Sequence, residues 1–353
     1  MEDWKPVPGH IKTPWTDSID PECPLPEYPR PQMVRQNWKN LNGLWKYGIT
    51  GKEVTEISDY TGKILVPFAI ESSLSGVKQP LGPEQKLWYC RSFQLPETWA
   101  KKRVLLHFEA VDWHCACYLN GNRIGDHFGG YVPFSFDITD HMNSGDNELV
   151  VTVLDPTDSH WQQKGKQVLS PHMIYYTATS GIWQTVWLEA VNPDNHIQSF
   201  RLTPDIDSAE LSITVNSLFP GDIRISAFAD KKKIGTIAGA SDRELKMPVV
   251  TPRVWSPDDP FLYDLQVELL KEGVVVDSVE SYFAMRKISI TQGHSGRKRI
   301  FLNNQPIFLH GPLDQGYWPD SGMTPPCEDS MLFDIEKTKE LGFNMTRKHI
   351  KVE

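Results

Sequence analysis

Apolar and polar side chains alternate in short runs over the first half of the chain. Val104–Phe108, His114–Leu119, Glu148–Leu154 and Gln184–Glu189 each read as half-buried strands. Asn120-Gly121 between two such runs is a strong hairpin signal. Ahead of them, Met1 to Pro31 reads as extended coil, because Pro24, Pro26, Pro29 and Pro31 exclude regular helix. Many short strands with frequent Gly and Pro turns predict a sandwich or jelly roll.

A second unit begins near Asn192-Pro193-Asp194. Ser199–Thr203, Leu211–Val215, Ile223–Ala229, Leu262–Leu270 and Val274–Phe283 are its strands, with Lys271-Glu272-Gly273 turning the last pair. That spacing predicts an immunoglobulin-like sandwich without the Cys…Trp…Cys core. Lys231-Lys232-Lys233 reads as a solvated turn. The pattern then changes. Phe301 with Ile307, Phe308 and Leu309 predicts a strand interrupted at Asn303-Asn304. Met331–Leu341 has helical spacing and closes at Gly342, and Phe343–Val352 reads as a further strand. Strand, helix, strand is one βαβ unit, too little to close a barrel.

At 353 residues the chain exceeds the roughly 250–300 that one core sustains. A net charge of −9 argues against nucleic acid and anionic membranes as partners. No apolar stretch approaches the roughly 20 residues of a spanning helix, and the first residues lack a secretory pattern. Cys23, Cys90, Cys115, Cys117 and Cys327 are odd in number and scattered, which predicts neither a disulfide framework nor a metal knuckle and suits a cytoplasmic protein.

Several segments, in order, are similar to one family. They are Leu41-Asn-Gly-Leu-Trp45, Trp88-Tyr-Cys-Arg-Ser-Phe93, Tyr118-Leu-Asn-Gly121, Gly129-Gly-Tyr-Val-Pro-Phe134, Phe136-Asp-Ile-Thr139, Gly145-Asp-Asn-Glu-Leu149 and Ser180-Gly-Ile-Trp-Gln-Thr-Val-Trp-Leu-Glu189. Val254-Trp-Ser-Pro257, Pro260-Phe-Leu-Tyr263, Phe283-Ala-Met-Arg286, Leu302–Leu309 and Leu341-Gly-Phe-Asn344 follow. The chain resembles the N-terminal portion of glycoside hydrolase family 2, the β-galactosidases, β-glucuronidases and β-mannosidases. The resemblance implies a mainly β protein: a jelly-roll sugar-binding domain (1–192), an immunoglobulin-like sandwich (193–293) and the truncated βαβ start of a TIM barrel (294–353). It implies that both catalytic carboxylates lie on later barrel strands, so no catalytic residue is assigned here and the chain alone is expected to be inactive. The retaining reaction needs two carboxyls about 5–5.5 Å apart in a rigid frame.

The resemblance also selects substrate-binding candidates. Asp314, after the first barrel strand, is placed to accept sugar hydroxyls, or else simply makes an Asx turn. Trp318 in Tyr317-Trp318 offers an aromatic platform where the family has histidines. Arg347 matches a carboxylate-supporting arginine, and His349 falls one residue short of the family's histidine. Asn147-Glu148 imitates the family's acid/base dipeptide, but its place in a turn before a strand reads as structural. Trp161, Tyr175, Tyr176 and Trp183 are aromatic candidates for which core packing is the favoured reading. Other nucleophile and nucleotide motifs are absent. No cofactor or metal is expected. The expected partners are a terminal β-linked sugar and either a second copy or the missing barrel. The alternative function is a stand-alone carbohydrate-binding or scaffold protein.

Overall fold

The computed structural model describes residues 4–9, 11–293 and 296–351. The chain is mainly β and divides into two compact units. One takes in Met1–Pro29, Trp38–Ala190 and Gly311–Glu353; the other takes in Arg30–Asn37 and Val191–His310.

In the first unit, a six-stranded antiparallel sheet runs in the order Gly62–Val66, Gly43–Gly51, Gln85–Gln94, Asp146–Leu154, His114–Leu119, Asn122–Phe128. A four-stranded sheet runs Trp38–Asn40, Val186–Val191, Arg103–Phe108, Phe134–Asp137. The period-2 pattern explains the burial. Along Asp146–Leu154 the residues Asn147, Leu149, Val151 and Val153 turn inward, and Cys115, Cys117 and Leu119 do so on the neighbouring strand. Leu106, Phe108, Val186 and Leu188 from the second sheet join them and Trp45 in one core. Each such side chain, fully buried, contributes roughly 1.5–3 kcal/mol. Val186–Val191 is buried on both faces. Its outer face is covered by the proline-rich N-terminal coil, where Tyr28 sits edge-on to Trp187 and donates from its hydroxyl to Glu189. Asn120 and Gly121 both adopt left-handed φ, at 51° and 79°, making the turn of the expected hairpin.

Asn147-Glu148 is structural. Asn147 is fully buried, donates to the carbonyls of Asn143 and Gly145 and accepts from the Asn143 amide, while Glu148 is exposed.

The second unit pairs Ile197–Asp205, Glu210–Ser217 and Glu244–Pro248 in one sheet, and Lys232–Ala240, Asp222–Ala229, Tyr263–Lys271 and Val274–Phe283 in another. Leu211, Ile213, Ile225, Val267 and Val279 from both sheets share one core. The lysine triplet begins at a turn and then enters Lys232–Ala240: Asp230 and Lys231 carry positive φ. Residues 30–37 are an edge addition, with Val34 and Glu280 exchanging both backbone hydrogen bonds.

The last segment differs from expectation in register. Phe301 lies on Lys298–Leu302, which pairs antiparallel with Ile288–Gln292 and Gln305–Pro306, whereas Ile307–Leu309 is not a strand. Parallel pairing occurs later, between Leu313–Asp314 and Arg347–Lys348, joined through the helix Glu328–Glu340. The second expected strand is therefore shorter than Phe343–Val352, and Val352 lies outside the described residues. Gly342, at φ +82°, ends the helix in the left-handed conformation that favours glycine. Among the described residues no helix is long and apolar enough to cross a membrane.

Candidate functional site

The parallel pair needs close backbone contact at its entry. A Cβ on Gly311 would stand 1.8 Å from the Met345 carbonyl oxygen, so only glycine fits. The Arg347 amide then donates to the Pro312 carbonyl (2.9 Å) and the His349 amide to the Asp314 carbonyl (2.8 Å). This ladder puts the Asp314 and Lys348 side chains together as an ion pair. The Gly316 amide also donates to Asp314 Oδ1 at 2.7 Å, so the Asx turn is formed as well. Partial burial pushes the Asp314 carboxyl up, but the Lys348 ammonium, the Gly316 amide and Lys351 outweigh it and hold it below the usual range. Replacing Lys348 by methionine is therefore expected to raise the Asp314 pKa, read from its carboxyl carbon shift in an NMR titration. An unchanged midpoint would show that the pair does not form.

Asp314, Lys348, Tyr176, Tyr317, Trp318 and Lys351 line a cavity of about 750 Å³. Tyr176 and Tyr317 stack with ring centroids 3.8 Å apart and planes 6° apart. Trp318 stands edge-on to Trp15 at 6.1 Å and is pinned by a two-way backbone bridge with Gly322. The arrangement combines an acceptor, two ammonium groups and aromatic faces, the inventory of a polyol pocket.

The structure brings Asp314 and Trp318 to this cavity. It does not bring Arg347 and His349, which line no part of it. Side chains alternate along a strand, so Lys348, between them, faces the cavity instead. Of the aromatic candidates, Trp183 is core and donates from its indole to the Gly130 carbonyl at 2.7 Å. Trp161 is 95% exposed, Tyr175 is also exposed, and Tyr176 lines the cavity.

Sequence reasoning missed a buried carboxyl network behind the cavity wall. Ser180 ties two of its members together: its amide donates to Glu71 Oε2 (2.9 Å) and its hydroxyl to Asp155 Oδ2 (2.7 Å). Asp155 Oδ1 accepts from the Thr157 amide and the Gln162 side chain. Gln167 donates to Asp112 Oδ2 and the Tyr131 hydroxyl and accepts from the Thr179 amide. The network thus fastens residues 155–180, the segment that carries Tyr176. Burial pushes Glu71 up to about 8, with Asp155 adding to the effect against the Ser180 amide. Burial also raises Asp112 and Asp155, and the charge of Asp155 raises Asp112 further. The one sequence signal was the Ser180-Gly181-Ile182 motif itself. Gly181 has φ +88°, and a Cβ there would sit 2.1 Å from the Tyr89 hydroxyl.

Two family descriptions match in succession. "Glycosyl hydrolases family 2, sugar binding domain" matches residues 60–191 and "Glycosyl hydrolases family 2" matches residues 195–286, together more than half of the chain. The chain belongs to glycosyl hydrolases family 2. Among family members, the β-galactosidase of Thermoanaerobacter pseudethanolicus is 29% identical over 276 residues, covering 74% of this chain and 36% of its own length. The β-galactosidase of Lactococcus lactis is 24% identical over 98% of this chain and 34% of its own. The chain therefore spans about a third of the length of these curated relatives. A solved β-glucuronidase from Ruminococcus gnavus, in complex with C6-substituted uronic isofagomine, is similar in fold, with a TM-score of 0.75 at 19% identity. That likeness covers 92% of this chain and 57% of the other.

Proposed function

We propose that this chain is the N-terminal, non-catalytic part of a retaining exo-β-glycosidase of carbohydrate metabolism, acting on a galactoside, glucuronide or related terminal β-linked sugar. In this reading residues 1–192 are a jelly-roll sugar-binding domain, 193–293 an immunoglobulin-like sandwich, and 294–353 the opening βαβ unit of a TIM barrel. The observation that carries it is the parallel pairing of Leu313–Asp314 with Arg347–Lys348 across one helix, following two successive family matches. Asp314 stands at the C-terminal end of its strand, where barrel enzymes place ligand-binding groups. It accepts sugar hydroxyls, while Tyr317 and Trp318 take a ring face. Arg347 and His349 enter once further barrel strands close against them.

The helix Glu328–Glu340 supports this reading, because Met331, Leu332, Phe333 and Ile335 are all exposed. Exposed apolar surface of this kind suits the rest of a barrel or a second copy. Five free cysteines suit a reducing cytoplasm.

The test is a panel of aryl β-glycosides incubated with the purified 353-residue chain. Turnover at the buffer background is expected. Robust release of the aryl group from any member would end the non-catalytic reading.

A further inference from the structure

A second cavity, of about 430 Å³, shares Tyr176, Tyr317 and Trp318 with the first but is lined by different acids, Glu71 and Asp320. Both are at least nine-tenths buried, at 8% and 0% exposure. Each is anchored through one oxygen only. Glu71 Oε2 takes the Ser180 amide, and Asp320 Oδ2 takes the hydroxyls of Thr13 (2.7 Å) and Thr16 (2.5 Å) and the Thr13 amide (3.3 Å). The other oxygens, Glu71 Oε1 and Asp320 Oδ1, are buried and have no hydrogen-bond partner among the described residues. A buried acceptor without a donor loses its hydration uncompensated, so a polar ligand that reached these oxygens would supply the donors they lack.

We propose that this cavity binds a neutral glycosyl unit, separately from the Asp314 cavity. Sugar hydroxyls both donate and accept, so they satisfy Glu71 whether or not it holds its proton, and they donate to Asp320. The aromatic residues supply a flat apolar face for the sugar's C–H bonds. A carboxylate or sulfate offers acceptors alone, setting lone pairs against the lone pairs of Asp320. Lys78, the one cation among the lining residues, is exposed and donates to the Gly9 carbonyl. The inference rests on these two acids and not on the strand-end reading above.

Calorimetric titration of the whole chain at pH 7 with methyl β-D-galactopyranoside and sodium D-glucuronate tests it. The neutral glycoside is expected to bind at least tenfold more tightly than the uronate. Binding in this cavity should weaken about tenfold in Glu71→Leu, which removes the acceptor and the donor alike. Loss of all binding in Asp314→Asn with Glu71→Leu unaffected would overturn this second cavity while leaving the strand-end reading standing. Uronate binding as tight as the glycoside, or no binding of either, would also overturn it. A crystal soaked with the methyl galactoside decides without any variant: density for the sugar against Glu71 and Asp320 supports the assignment, and a cavity filled only by water refutes it.

Discussion

Replacing Arg35 by methionine is expected to destabilise the second unit by about 3–5 kcal/mol, because it strands a buried carboxylate. Arg35 and Asp277 are 5% and 8% exposed. Their contact is two-pronged, Nε to Oδ1 at 3.1 Å and Nη2 to Oδ2 at 2.8 Å. The same Nη2 donates to the Ile197 carbonyl, and the Ile197 amide returns a bond to Asp277 Oδ2. A fork of this geometry ties the 30–37 segment to the strands Ile197–Asp205 and Val274–Phe283 at once. Removing the guanidinium leaves Asp277 with one backbone donor in a dry place. The double variant Arg35→Met/Asp277→Leu removes both charges and should recover most of the loss. Urea denaturation followed by circular dichroism measures all three, and a single variant within about 1 kcal/mol of the parent would show that the pair carries little.

The second large effect is on pH dependence. Glu71 is pushed up by burial to about 8 in the folded chain, against an ordinary value of 4.5. Below about pH 4.5 both folded and unfolded chains hold this proton, and the stabilising contribution is complete. Between there and pH 8 the unfolded chain releases the proton while the folded one keeps it, so stability falls as pH rises. Above 8 the curve levels. That span corresponds to about 5 kcal/mol at 1.36 kcal/mol for each pH unit. Burial moves Asp112 and Asp155 in the same direction, which steepens the fall. Glu71→Gln keeps an oxygen for the Ser180 amide and cannot ionise, so its stability should fall less between pH 5 and 9. Denaturation midpoints at pH 5, 7 and 9 decide the matter: parallel profiles for the parent and the variant would mean that Glu71 ionises freely in the folded state.

The sandwich strands were legible because half-buried strands write their burial directly into alternate positions. Leu149, Val151 and Val153 could be assigned to the core from spacing alone. The final segment was harder. Phe301, Ile307, Phe308 and Leu309 look like one interrupted strand, yet Asn303 and Asn304, both at positive φ, turn the chain back on itself there. The parallel strands that do form are two residues long, too short to show a period. Arg347 and His349 illustrate the same limit: a motif gives residue types, but a shift of one position in a strand exchanges the faces.

The alternating strands of both sandwiches, the hairpin at Asn120-Gly121 and the membership of the family follow from local pattern and motif. Those signals depend on neighbours along the chain, so a linear reading recovers them. Tertiary structure alone decided that Glu71, Asp112 and Asp155 meet around Ser180 and Gln167, and that Asp320 anchors to Thr13 and Thr16, about 300 residues earlier. Burial turns ordinary surface-type residues into groups with displaced titration and unmet hydrogen bonds. Such burial depends on partners distant in sequence, which no window on the sequence contains.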